Sequence, residues 1–165
     1  ELAERRRHAA LLRSHLASAK YLKLPVYTPG SKPSYHLMSF TFDADAAGIT
    51  RDTFAAAIKA EGLFCMGYVP SVISDWKRLH WQDYRGPRVS WLSALEAAKV
   101  DYRNQALPNA RWRVDHALEM LFDMVAPNEA MVARMAEIIL KVEANVDALR
   151  DHERTAGPAT TVLRK

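Results

Sequence analysis

The sequence predicts an α+β fold: a two-layer sandwich in which a small, mostly antiparallel sheet of about three strands has helices packed on one side. Three observations predict it. Amphipathic helical patterns open and close the chain, three segments between them have the length and composition of strands, and the connections are too short for repeated parallel crossovers. The 165 residues suit one domain with its own core, expected over residues 1–153, followed by a flexible tail over residues 154–165.

Ala9, Leu12, Leu16 and Ala19 recur at intervals of three and four, with arginines and histidines on the other side, so residues 2–21 read as a surface helix. Pro25, Pro29, Gly30 and Pro33 then make residues 24–33 an extended connection, because proline brings no N–H to a helix or a ladder. In residues 35–42, His36, Met38, Phe40 and Phe42 fall on one face, with Ser39 and Thr41 on the other. That is the alternation of a half-buried strand. A loop over residues 43–48 leads to Thr50, which can cap a helix with Asp52 in its first turn and Phe54, Ala57 and Ile58 on its apolar face. Gly62 suits the left-handed residue that closes such a helix. Residues 63–69 are apolar enough for a short buried strand, which Pro70 ends.

Beyond Pro70 the pattern loosens. Trp76, Trp81, Tyr84, Trp91 and Tyr102 follow no sustained period and Gly86 and Pro87 interrupt them, so short helices near residues 74–80 and 91–100 are expected in an irregular segment. A brief helix over residues 110–116 precedes a third strand, in which Leu118, Met120, Phe122 and Met124 alternate with Glu119 and Asp123. A final helix is expected from Asn128 or Glu129 to about His152. Met131, Met135, Ile138, Val142, Val146 and Leu149 form its stripe, and Glu137 stands four before Lys141 as an ion pair.

Composition removes several classes of function. At 49% hydrophobic and 25% charged the chain is ordinary for a globular protein, and no apolar run approaches the roughly 20 residues that cross a bilayer, so no membrane role is expected. The net charge of +4 comes largely from the two ends, and ERRRHAALLR reads as the solvent face of a helix rather than a nucleic-acid surface. The histidines at 8, 15, 36, 80, 116 and 152 show no i, i+4 pair and no cysteine cluster, so no metal site is expected. The single Cys65 excludes an internal disulfide and fits a reducing compartment. With no charged-then-apolar leader, the cytoplasm is the expected location. Within its apolar strand Cys65 reads as a small buried hydrophobe, not a nucleophile. The tryptophans between 76 and 91 either stack on a ligand or pin an irregular segment to a core or an interface. Tyr68 follows Gly67 at a strand end, where a phenol can be apolar behind and polar in front, and where sites collect. The plain alternative is a ring that only packs.

The segment RDTFAAAIKAEGLFCMGYVP, residues 51–70, resembles the DegT/StrS family of sugar and aminocyclitol aminotransferases, with its Arg-Asp, apolar helix, Ala-Glu-Gly and Gly-Tyr-x-Pro in order. The flanks are similar as well. RRRHAALLRSHLA resembles the helix after that family's catalytic domain, KLPVYTPGSKPSYHLMSF the descent into the first small-domain strand, and LPNARWRVDHALEM with MAEIILKV the closing strand and helix. The resemblance implies the C-terminal small domain of a fold-type-I enzyme dependent on pyridoxal phosphate. Such an enzyme moves an amino group from glutamate or glutamine to a keto-sugar or keto-cyclitol.

In that family the cofactor and its lysine belong to a large domain upstream, which would be this chain's partner, and the complete enzyme would be a homodimer. Lys59, Lys77 and Lys141 do not match the family's serine-to-lysine segment, so no catalytic or cofactor-binding residue is carried over. Gly67, Tyr68 and Pro70 are carried over as substrate-lining candidates. Ser71-Val72 departs from the leucine the family often has there, and residues 76–102 match only loosely, so no particular sugar is implied. Because Glu1 already lies in a helical pattern, the chain is expected to be excised from a longer one. Alone it is expected to be inert and marginal or self-associating. The alternative is a free-standing, non-catalytic binding or partner domain that retains the fold.

Overall fold

The alternation around Phe40 builds the middle strand of the sheet, because a period of two sends Met38, Phe40 and Phe42 into the core and leaves Leu37, Ser39 and Thr41 half-buried on the other face. The structure is a computed structural model that describes residues 1–87, 89–122 and 125–160. Its elements in chain order are α1 (Leu2–His15), β1 (Leu22–Lys23), β2 (Leu37–Phe42), α2 (Ala44–Ala47), α3 (Arg51–Ala60), α4 (Ser90–Ala97), α5 (Pro108–His116), β3 (Ala117–Leu121), α6 (Glu129–Ala144) and α7 (Val146–Ala156). The chain divides into two units, Glu1–Tyr68 with Asp115–Lys165, and Val69–Val114.

In the first unit β2 lies between β1 and β3 and is antiparallel to both, with Ser39 opposite Glu119 and Phe40 opposite Leu118. Leu118, Met120 and Phe122 are buried with the even-numbered residues of β2. They share one core with Ala9, Leu12 and Leu16 at α1, Phe54 and Ile58 of α3, and Val132, Met135 and Ile139 of α6. Phe42 and Phe54 stack at 4.5 Å between ring centroids, tying the sheet to α3. This is the α+β sandwich expected from the sequence, with a three-stranded antiparallel sheet among the described residues. Asp123 and Met124, expected at the end of the third strand, lie outside the described residues.

Several elements depart from expectation, each for a local reason. The first helix ends at His15 and not near Tyr21, because the Glu143 carboxylate collects the next free N–H groups. Lys20 donates to Oε2 at 2.8 Å, and Tyr21 and Leu22 donate to Oε1 at 2.9 and 3.0 Å. That clasp turns the chain into β1, which the sequence did not announce. Asp43 makes a one-turn helix of the expected loop by accepting from Ala46 N–H, and Gly48 closes it at φ +67°. The closing helix breaks at Asn145, whose side-chain amide donates to the Lys141 carbonyl, and resumes as α7 through Ala156. Residues 161–165 of the expected tail lie outside the described residues. The expected Glu137 pair with Lys141 is replaced by Glu137 with Arg134 at 3.2 Å and Lys141 with Glu61 at 2.6 Å, because Lys141 reaches across to the end of α3.

The second unit is largely turns, with 3-10 segments Ile73–Asp75 and Lys77–Leu79 ahead of α4. Its order comes from hydrogen bonds more than from a period. Trp81 Nε1–H donates to the Val100 carbonyl at 2.8 Å, and Arg111 grips Asp75 with two bonds of 2.6 and 2.8 Å, which lowers the Asp75 pKa. Arg103 holds Asp101 down to about 2. Val72 and Leu92 are buried, whereas Ile73, Trp76, Trp91 and Trp112 are exposed. The aromatic segment is therefore only partly pinned.

Candidate functional site

Thr50 starts α3 as expected, its hydroxyl accepting from Thr53 N–H at 3.2 Å. That cap places Arg51 at the first helical position, where its side chain lies beneath the edge of the sheet and is only 2% exposed. The guanidinium has two jobs. Its Nε donates to Asp52 Oδ1 at 2.5 Å, and its Nη1 donates to the carbonyl of Ala117 at the start of β3. A buried guanidinium is tolerated only when it is paired in this way.

The stretch after Gly62, itself left-handed at φ +93°, was expected to be a strand over residues 63–69, and this expectation is corrected by the structure. It makes a single bridge, Met66 opposite Glu119, with Met66 N–H to Glu119 carbonyl at 2.9 Å and the reverse bond at 2.8 Å. The ladder stops there because the next carbonyl on that edge, Ala117, is occupied by Arg51. Tyr68 N–H donates to Glu119 Oε2 at 3.1 Å instead, while the Ser39 hydroxyl donates to Glu119 Oε1 at 3.0 Å.

Of the candidate residues, Gly67 lies directly against the Arg51 guanidinium, so close that a Cβ there would stand 1.9 Å from Nη1. Tyr68 is 52% exposed, with its backbone anchored and its side chain at the surface. Gly67 and Tyr68 thus share one frame with Arg51 and Glu119. Pro70 is half-buried and belongs to the second unit. Arg51 had a signal in the sequence, since Arg-Asp is part of the segment that carries the resemblance. Glu119 had none, because alternation only set it on the face opposite Leu118 and Met120, and yet it is only 8% exposed.

Cys65 is buried next to this frame, its thiol 3.7 Å from the Ala55 carbonyl, and burial pushes its pKa up to about 12 against the opposing pull of Arg51. A thiol this protonated is a poor nucleophile. The native state keeps a proton that an unfolded cysteine loses near 9.0, so this group removes stability as pH rises from about 9 toward 12. Denaturant unfolding at pH 8 and pH 10 should therefore show a larger loss for the wild type than for Cys65→Ala; equal losses would remove Cys65 from the account.

Two concavities flank the frame. One, of about 280 Å³, is lined by Thr50, Arg51, Asp52, Asp115, His116 and Pro158. The other, an open groove of about 410 Å³, is lined by Tyr27, Pro33, Tyr35, His36, Leu37 and Ser39, among others. Burial and the contact with Tyr35 raise the Tyr27 phenol to about 12, although the Arg13 guanidinium 5.6 Å from the ring centroid opposes this. Neither concavity contains a lysine, and every described lysine side chain belongs to an exposed residue. The described residues therefore do not suit the cofactor that the resemblance implies, which requires a lysine inside a cavity. Among the described residues no group of three His, Cys, Asp or Glu is placed to hold a metal ion, and no helix is long and apolar enough to cross a membrane.

No family model matches the chain, and no curated protein matches it in sequence. The fold, however, resembles part of DesI. The crystal structure of DesI in the presence of its TDP-sugar product matches 94% of this chain with a TM-score of 0.65 and 17% sequence identity. This chain spans only 33% of DesI. At that identity the likeness to DesI is one of fold, and it extends over both units of this chain rather than one motif.

Proposed function

We propose that this chain is the C-terminal domain of a pyridoxal-phosphate-dependent aminotransferase that passes an amino group from glutamate or glutamine to a keto-sugar or keto-cyclitol. The observation that carries this reading is the match of nearly the whole chain to one third of a protein crystallised with its TDP-sugar product. It agrees with the order of the segments that resemble the DegT/StrS family. The cofactor and its lysine would belong to a large domain preceding Glu1, and the complete enzyme would be a cytoplasmic homodimer. This chain supplies a wall of the acceptor site, at Gly67, Tyr68 and Pro70. Positioning is what a protein contributes to such chemistry once the cofactor supplies the electron sink.

The test uses the complete gene product. A borohydride-sensitive visible absorption from bound pyridoxal phosphate, together with amino transfer from glutamate to a nucleotide-linked keto-sugar, is the expected result. A gene product that begins near Glu1 and binds no cofactor would sink the proposal. Within the active enzyme, Tyr68→Phe should leave the unfolding midpoint unchanged and weaken transfer to the sugar by about 0.5–1.5 kcal/mol, the size of one hydrogen bond. The half-reaction with the amino donor should suffer less. A loss of stability with no loss in either half-reaction would return the Tyr68 ring to a packing role.

A further inference from the structure

Resting on that aminotransferase reading, we infer that Glu119 is a positioning residue for the acceptor half of the reaction: it holds the backbone at Tyr68 so that the phenol stands at the substrate wall. The inference comes from how the edge of the sheet ends. In an antiparallel ladder, residues two apart on one strand bond to residues two apart on the other, so after Met66 opposite Glu119 the next doubly bonded pair would be Tyr68 opposite Ala117. Arg51 occupies the Ala117 carbonyl and its guanidinium fills the space beside Gly67, so that pair does not form. Left without a ladder partner, the Tyr68 N–H turns to Glu119 Oε2 at 3.1 Å.

This substitution has a consequence for the side chain. A backbone N–H held at a fixed carboxylate restrains φ at Tyr68 and the direction in which its side chain leaves the chain. Ser39 on the neighbouring strand holds the carboxylate from its other oxygen at 3.0 Å, so the clamp is tied to the middle of the sheet and not to a mobile loop. Glu119 is only 8% exposed and both bonds are part-buried, so water competes for them less than it would at an open surface. Glu119 itself is kept off the core face that Leu118 and Met120 occupy, on the sheet face it shares with half-buried Ser39 and Met66. Site geometry set by a rigid sheet rather than by a loop is what acceptor positioning requires.

The experiment compares Glu119→Gln with Glu119→Leu in the complete enzyme. Glutamine can reproduce the clamp, its amide oxygen accepting from Tyr68 N–H and its amide nitrogen donating to the Ser39 hydroxyl, whereas leucine fills the volume with neither. Hydrogen exchange at the Tyr68 amide should stay slow in Glu119→Gln and speed up about tenfold in Glu119→Leu, and kcat/KM for the keto-sugar should fall by about the same factor only in the leucine variant. The donor half-reaction should change by less than about twofold in either, since the clamp acts through Tyr68 and not on the donor. Equal loss in both half-reactions, or unchanged exchange at Tyr68, overturns the proposal. If Glu119→Leu does not fold, Ser39→Ala removes a donor to the carboxylate and should show the same pattern in smaller measure; its absence there overturns the proposal as well. A wild-type enzyme that aminates no keto-sugar overturns the reading beneath the proposal, and the acceptor role with it. Exchange data that still respond to Glu119→Leu would identify that as the failure.

Discussion

Glu143→Leu should lower the stability of the domain by about 3–5 kcal/mol, read as the shift of the urea midpoint at constant slope. The wild-type carboxylate, 6% exposed, accepts from three consecutive N–H groups where the chain leaves α1 and enters β1. Leucine matches its size and removes every acceptor, so the N–H groups of Lys20, Tyr21 and Leu22 lose their partner, the last of them fully buried. Each buried orphan costs about 1–3 kcal/mol, less where water can enter, and the sum is a large fraction of the roughly 5–15 kcal/mol that a domain has in total. Glu143→Gln retains one acceptor oxygen but turns an NH2 toward N–H donors, so it should fall between, at about 2 kcal/mol. A leucine variant as stable as the wild type would mean that water serves this turn as well as the carboxylate does.

That clasp also shows where reading the sequence succeeds and where it stops. Apolar periodicity is local and was legible: Leu12 and Leu16 at the first helix, Met38, Phe40 and Phe42 in β2, Ile138 and Val142 in α6 all reach the core as their spacing demands. So were the caps, since Thr50 and Gly62 act within a few residues of themselves. What the pattern does not carry is any contact between a charged side chain and backbone far along the chain. Glu143 lies more than 120 residues from the N–H groups it holds, and nothing in the apolar stripe of its own helix points to them. Alternation set Glu119 apart from the apolar face of Leu118 and Met120, but it tells which face a residue takes and not whether that face is covered. Residues 63–69 were apolar enough for a strand, and only the arrival of Arg51 from α3 ends their ladder at Met66. Gly67 and Tyr68 were legible as candidates through the resemblance; the frame that fixes them was not.

Gly67→Ala should be about as damaging as the loss of Arg51 itself, at about 3 kcal/mol or more. Gly67 does not have a left-handed φ, so its backbone would accept alanine, and the whole penalty comes from what a Cβ meets. It would stand 1.9 Å from Arg51 Nη1 and 2.3 Å from Cζ. The tip of an arginine usually swings away at little cost, but this one is buried, bonded to Asp52 and to the Ala117 carbonyl, and cannot move without giving up both. Arg51→Ala abandons the same two bonds and leaves Asp52 buried beside the space, so it should cost about 3–5 kcal/mol. In that background the guanidinium is gone and the new methyl group has room, so adding Gly67→Ala should cost less than about 1 kcal/mol more. The double-mutant cycle should therefore return a coupling of about 2–3 kcal/mol between two residues that never exchange a hydrogen bond. Additive losses would mean that the edge relaxes around alanine without disturbing Arg51. The close approach would then not be the reason that glycine precedes Tyr68.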